Sequence, residues 1–149
     1  IKKGQFCNAD VMHKSKEKVI EFGNNQVILC ERGNCFGYQD LIVDPRNLIW
    51  LKSDTNLVSM DITHCLQIPS QKKSDGTICA GGYRELIPYM GKMALALDVN
   101  GLFLEVHHDP DNSKCDAPTQ WNLNKLEELL DFIGIKKKVN EDNSFFYIK

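Results

Sequence analysis

The stretch "GLFLEVHHDPDNSKCD", residues 101–116, opens with the apolar run Leu102, Phe103 and Leu104 and then places Glu105 where another hydrophobe would be desolvated without penalty. His107, His108, Asp109 and Asp116 follow closely, and a second apolar run ends in "DITHC" with His64. Imidazole and carboxylate are ligand types for a divalent cation. The same pairing also serves as a hydrogen-bonded His and acid in a polar site without metal, and residue type leaves both open. Lys2 and Arg32, with Lys3 and Arg84, add cations suited to an anionic substrate. Arginine presents a planar fork to phosphate or carboxylate, and lysine a compact charge. Ordinary rim salt bridges are the alternative for any one of them taken singly.

Four near-continuous apolar stretches carry these polar ends: "IKKGQF" (1–6), "QVILC" (26–30), "LVSMDI" (57–62) and "GLFLEV" (101–106). Strands buried on both faces of a parallel sheet read this way. Between them, Leu86, Ile87, Met90, Met93, Ala94 and Leu97 predict a helix over 84–98. Leu123, Leu126, Leu129, Leu130 and Ile133 predict another over 123–133, with Gly134 as its stop. Shorter helices are predicted near 14–22 and 46–53, the second opened by Pro45. A β-α unit repeated four times gives an α/β fold with right-handed crossovers. In such folds the C-terminal strand ends form the ligand face. Lys2, Lys3 and Gln5, then Glu31 and Arg32, then Asp61, Thr63 and His64, then Glu105 and His107 all fall there.

The segment "CLQIPSQKKSDGTICAGGY" between His64 and Arg84 has no periodicity and is read as a long structureless connection, either a functional loop or a disordered one. In the functional reading Gly81–Gly82 is a hinge that lets Arg84 swing over the site, with a simple turn before the helix as the alternative. Two parts of the chain are distinguished: 1–135 as the α/β body and 136–149 as a charged and aromatic tail. The tail's lysines are read as a solvated helix end, and "FFYI" as a segment docked in a surface groove.

Composition sets the outer limits. The chain has 149 residues, 42% of them apolar and 26% charged, enough for one domain with a real core. A net charge of −2 gives no reason to expect nucleic acid or an acidic membrane surface as partner. No apolar run approaches the length that spans a bilayer, and no signal-peptide pattern is present. Six cysteines, at 7, 30, 35, 65, 79 and 115, include no CxxC pair. They read as reduced and mostly packing thiols, which points to the cytoplasm.

Five segments, "KKGQF", "ERGNCFGYQDLIVDPRNL", "DITHCLQ", "GGYRELIP" and "FLEVHHDPDNSKCDAPTQW", resemble in order and spacing the C-terminal half of 3-deoxy-D-manno-octulosonate 8-phosphate synthases. The resemblance runs from residue 1 to about 133 and is nearest to eukaryotic-type sequences. It implies a (β/α)8 TIM barrel, of which this chain supplies about the last four βα units, and a homo-oligomer, usually a tetramer. It also implies a transferase that condenses phosphoenolpyruvate with D-arabinose 5-phosphate and water, releasing phosphate and an eight-carbon sugar acid phosphate. By matching position, Lys2 and Arg32 would hold phosphoenolpyruvate, and Gln5, Gln67 and Arg84 complete the expected substrate contacts. His64, Glu105 and Asp116 would be the catalytic residues. They would also be metal ligands (zinc, iron, manganese or a similar divalent ion) in the metal-dependent branch of the family. Metal dependence there turns on a Cys or Asn in the half of the pattern not matched here, while Ala117 looks like one branch and Pro118 like the other.

Four strands cannot close such a barrel. The chain is therefore expected to be part of a longer enzyme, inactive alone and prone to pair through its open edges. Two other functions are carried forward: a truncated, non-catalytic module, and the related 3-deoxy-heptulosonate 7-phosphate synthase acting on erythrose 4-phosphate. The wording "FGYQDLIVDPRNL" and "THCLQ" argues against the latter.

Overall fold

Three of the four apolar runs lie side by side as parallel strands in the computed structural model, which describes residues 1–52, 56–72, 74–139 and 145–148. In chain order the elements are α1 (Ala9–Glu21), β1 (Ile28–Glu31), α2 (Pro45–Leu51), β2 (Leu57–Asp61), β3 (Gln67–Lys72), β4 (Ile78–Gly82), α3 (Ile87–Ala96), β5 (Gly101–Phe103), β6 (Val106–His107), β7 (Trp121–Asn122), α4 (Leu126–Ile133), β8 (Lys136–Val139) and β9 (Phe145–Ile148). The central sheet has the order β1-β2-β5, with Leu29 opposite Val58 and Asp61 opposite Phe103. Leu29, Val58 and Met60 are fully buried, as are Leu48 and Leu51 of α2 and Ile87 and Ala94 of α3. The core thus sits between the sheet and its crossover helices, and the expected α/β class with parallel strands holds.

The fourth apolar run is shorter than predicted. The Lys3 N–H donates to Cys30 O at 2.8 Å and the Cys30 N–H to Ile1 O at 2.9 Å, so residues 1–3 run parallel to β1. Gly4 then begins a turn in which Cys7 N–H donates to Gly4 O, which ends strand pairing before Gln5. The run at 101–106 is interrupted as well. β5 stops at Phe103, and β6 starts at Val106 against β7 rather than β2. Glu105 lies in the break between them.

Local signals explain the helix boundaries. Asn8 caps α1 by accepting from the Val11 N–H at 3.0 Å, so the helix begins before the predicted residue 14. Asp44 caps α2 and Pro45 fills its first turn. Gly134 closes α4 in the left-handed region at φ 97°, as its position predicts. Among the described residues no helix is long and apolar enough to cross a membrane.

The segment expected to be a structureless loop is mostly a hairpin. β3 and β4 pair antiparallel, with Gln67 opposite Gly82 and Lys72 opposite Ile78, and the register shifts between Ile68 and Gln71. Pro69 and this irregularity hide the strand alternation in the sequence. The turn is written in "SDGT", where Asp75 accepts from the Thr77 N–H at 2.9 Å and Gly76 takes φ 85°. Gly82 is not a hinge either. A Cβ there would collide with Thr119 Cγ2 and lie 3.1 Å from Leu66 O, so the missing side chain lets β4 press against residues 117–119. At the other end, residues 136–139 are a strand paired with β9, not the expected helix end.

Gly82→Ala forces that contact apart. It should lower the unfolding free energy by about 1–3 kcal/mol in urea titration, as overpacking of close-packed sites does.

Candidate functional site

Asp61 ends β2, and its side chain is fully buried beneath the sheet rim. Its Oδ1 accepts from the backbone N–H of Thr63 at 3.0 Å and of His64 at 2.8 Å. Its Oδ2 lies 2.8 Å from His64 Nδ1 and 2.6 Å from Lys2 Nζ. A carboxylate can only accept, so Nδ1 carries a proton, and Nε2 faces the other way. The Lys2 ammonium sits 3.9 Å from the Phe103 ring centroid, and the His64 ring packs against the same Phe103.

His64 Nε2 points at two further carboxylates. Glu105 Oε1 is 3.3 Å away and Asp116 Oδ2 3.6 Å, and one ligand atom from each of the three residues fits within 4.8 Å of the others. Each carboxylate is held separately. The break after β5 lets the Glu105 N–H donate to Thr63 Oγ1 at 2.7 Å, while Gln120 Nε2 donates to Glu105 Oε2 at 2.6 Å. Asp116 takes the left-handed backbone at φ 50°, and its carbonyl accepts from the N–H groups of Thr119 and Gln120. Gln67 Nε2 donates to Asp116 Oδ1 at 2.5 Å.

Gln67 also joins the carboxylates to the cations. Its Oε1 accepts from Arg32 Nη2 at 3.1 Å, and Arg32 reaches His64 O at 3.4 Å. Arg32 Nε is buried without a partner among the described residues. The turn that carries Arg32 is built on a buried ion pair. Glu31 Oε1 accepts from Arg32 N–H at 2.9 Å, Gly33 N–H at 2.6 Å and Lys3 Nζ at 3.2 Å. Lys3 Nζ donates further to Gly33 O, Gly4 O and Asn34 Oδ1. Lys3 is therefore an internal counterion with no face toward a ligand, contrary to its reading as an anion-binding cation.

The hydrogen bond to Asp61 raises the His64 pKa above its ordinary value, burial opposes this, and the nearby charge of Glu105 adds to the rise. Burial pushes the Asp61 pKa up, but the hydrogen bonds from His64 and Lys2 outweigh it and hold the carboxyl below its usual range. Two carboxylates converging on one imidazole call for a positive charge between them. A protonated His64 supplies it, and so would a divalent cation held by His64 Nε2, Glu105 and Asp116.

Of the residues singled out in the sequence, Lys2, Arg32, His64, Gln67, Glu105 and Asp116 form one connected network. Arg84 stands beside it. Its Nη2 donates to Ala117 O at 2.5 Å and pairs with Asp111 at 2.9 Å, so it braces the loop behind Asp116. Gln5 is tied through its backbone carbonyl, which accepts from the Cys35 N–H at 3.3 Å. His107 shares Nδ1 with the backbone of Asp109 and stacks on His108, outside the triad. Gln120 was missed in the sequence, where only its place after the "DAP" turn could have signalled it. Thr63 and Asp61 were visible as polar strand tips, but their anchoring roles were not.

Residues 1–141 match the DAHP synthetase I family. The chain is 56% identical over 149 residues to 2-dehydro-3-deoxyphosphooctonate aldolase 2 of Arabidopsis thaliana, covering 99% of this chain and 51% of that protein. It is 51% identical over 149 residues to the 2-dehydro-3-deoxyphosphooctonate aldolase of Pisum sativum, with the same two coverages. Against the Stutzerimonas stutzeri (strain A1501) aldolase the identity is 44% over 130 residues, 87% of this chain and 45% of that one. The chain thus spans about half the length of the curated relatives it matches.

Asp61→Asn removes the charge that raises the His64 pKa, so the imidazole should titrate at lower pH in the variant when followed by NMR. The sign of the stability effect follows from the two shifts. The raised His64 stabilises the fold below its unfolded value of 6.5, and this contribution is lost as pH rises through the folded pKa. The lowered Asp61 stabilises it above 3.8, and this is lost as pH falls through the folded pKa. Urea midpoints of the wild-type chain minus those of Asp61→Asn should be largest between these two values and shrink on either side.

Proposed function

The chain belongs to the DAHP synthetase I family, and on that premise we propose that it carries the His64 side of the active site of a 3-deoxy-D-manno-octulosonate 8-phosphate synthase. In this reaction carbon 3 of phosphoenolpyruvate forms a bond to the aldehyde carbon of D-arabinose 5-phosphate, water adds at carbon 2, and phosphate leaves. The observation that carries the proposal is the single network in which two cations, Lys2 and Arg32, flank the His64–Glu105–Asp116 cluster. Curated relatives with the name of this activity share 51–56% identity with nearly the whole chain.

Lys2 and Arg32 bind the anionic groups of phosphoenolpyruvate. Preorganised cations stabilise charge that grows as phosphate departs, and they need no reorganisation at that moment. Gln67, fixed between Arg32 and Asp116, keeps the cation and the acid in register. Arg84 and Gln5 contribute from the adjoining loops, Arg84 by holding residue 117 and through it the position of Asp116. The free oxygens of Glu105 and Asp116 beside His64 Nε2 are placed to take the proton of the water that adds at carbon 2. Holding alkene and aldehyde together removes much of the entropy cost of a bimolecular step.

One imidazole nitrogen and two carboxylate oxygens, with the far side of the imidazole donating to Asp61, suit zinc, iron or manganese. His64, Glu105 and Asp116 would hold such an ion, which supplies Lewis-acid polarisation of an oxygen when bound. The fold these residues call for is the (β/α)8 barrel, with this chain as about its last four units. β5 pairs only with β2 among the described residues, and an apolar groove of about 470 Å³ lined by Leu102, Leu104, Val106 and Leu130 lies beside it. Further units would pair with the free edge of β5, and a cytoplasmic homotetramer completes the proposal.

The test is phosphate release from phosphoenolpyruvate with either aldose phosphate. A full-length form should turn over with arabinose 5-phosphate and the 149-residue chain alone should not. Preference for erythrose 4-phosphate would assign the related heptulosonate activity instead. In a full-length form His64→Ala should lower turnover about 100-fold or more while shifting the unfolding free energy by less than about 2 kcal/mol. Equal turnover would remove His64 from the site.

A further inference from the structure

We propose that Cys79 and Cys115 are an oxidisable thiol pair, a modification site whose disulfide staples the β3–β4 hairpin to the loop that carries Asp116. Both residues line one cavity of about 420 Å³, together with Ala80, Ser113, Lys114 and Asp116. Cys79 is half-buried near the start of β4 and Cys115 is exposed in the loop that leads to Asp116. Cys79 belongs to β4 and Cys115 to the loop before Asp116, so a bond between them would add a covalent tie between two parts of the rim.

Those two parts already touch beyond Cys115. Gln67 Nε2 donates to Asp116 Oδ1 at 2.5 Å, Arg84 Nη2 donates to Ala117 O at 2.5 Å, and Gly82 is pressed against Thr119. These contacts hold the hairpin and the loop side by side, with Cys79 and Cys115 both lining the cavity between them. Between Asp109 and Cys115 the loop is held by local hydrogen bonds, such as Ser113 Oγ–H to Cys115 O at 2.7 Å, and by the Arg84–Asp111 ion pair at 2.9 Å. Residues 112–115, beyond that pair, can close on the strand without breaking the sheet.

The other cysteines are placed differently. Cys30 and Cys65 are buried in the core, and burial pushes both thiols up. Cys7 packs near Gly4, and Cys35 follows Gln5 through a backbone hydrogen bond, both in the turns after the first two parallel strands. Neither borders the cavity shared by Cys79 and Cys115.

The oxidant is a peroxide. One thiol sulfur attacks the peroxide, the O–O bond breaks, and a sulfenic acid forms with release of water. The second thiol sulfur then displaces the sulfenic hydroxyl, which leaves as a second water, and the S–S bond closes. The two thiols lose two electrons and two protons, and hydrogen peroxide is reduced to two waters. A dithiol reductant reverses the change.

The experiment treats the reduced protein with hydrogen peroxide, blocks remaining thiols with iodoacetamide and digests with trypsin. Cleavage after Lys73, Arg84, Lys114 and Lys125 yields peptides 74–84 and 115–125, each with a single cysteine. The expected product is the disulfide-linked pair of these peptides, lost on reduction and absent in Cys79→Ser and Cys115→Ser. It should persist in Cys7→Ser and Cys35→Ser and form roughly tenfold faster in the native protein than in urea, because folding brings the thiols together. Linkage of Cys115 to Cys7 or Cys35, oxidation of Cys115 to a sulfinic acid without linkage, or equal rates in urea would overturn the proposal.

Discussion

The Asp61 carboxylate is the contact on which the rest of the site depends. It lies buried at the tip of β2, and a charge there would cost several kcal/mol if it stood alone. Four donors surround it: the Thr63 and His64 backbone N–H groups, His64 Nδ1 and Lys2 Nζ. Hydrogen bonds to a charged group are worth about 1.5–3 kcal/mol each, so the set offsets the burial. Because both backbone donors lie in the turn after the strand, the carboxylate shapes that turn as well as the side chain it orients. The chain can place His64 Nε2 toward Glu105 and Asp116 only because Nδ1 is engaged behind it.

A second buried carboxylate repeats the device one strand away. Glu31, opposite Met60 of β2 in the sheet register, ends β1 and collects the N–H groups of Arg32 and Gly33 together with the Lys3 ammonium. Asp61 and Glu31 thus use the same logic. A buried acid at a strand's C-terminal tip folds the following turn around itself and leaves a functional side chain, His64 or Arg32, at the rim. The adjacent lysines then divide by strand alternation, Lys2 to Asp61 and Lys3 to Glu31. Gln67 links the two turns by bridging Arg32 and Asp116.

Much of this was legible in the sequence. The apolar runs at 57–62 and 101–106 located two of the parallel strands, and the polar residues that follow them fell at one rim because parallel crossovers leave them no other place. Lys2 and Lys3 looked alike in the sequence, and only the pleat separates the exposed cation from the buried counterion. The hairpin at 67–82 was hidden because Pro69 and a register shift erase its alternation. The break at Leu104–Glu105 was equally invisible, since "GLFLEV" reads as one continuous strand and only pairing with Thr63 and Trp121 shows where it parts. Gln120 was unreadable because its partner, Glu105, comes near only after the loop through Asp116 has closed.

The most direct measurement is the tautomer of His64 by nitrogen-15 NMR of the imidazole, taken at a pH where the ring is neutral. With Asp61 as the organising acceptor, the proton resides on Nδ1 and Nε2 shows the shift of an unprotonated nitrogen. A neutral ring protonated on Nε2 would mean that Asp61 does not orient His64, and the arrangement built on that hydrogen bond would be contradicted.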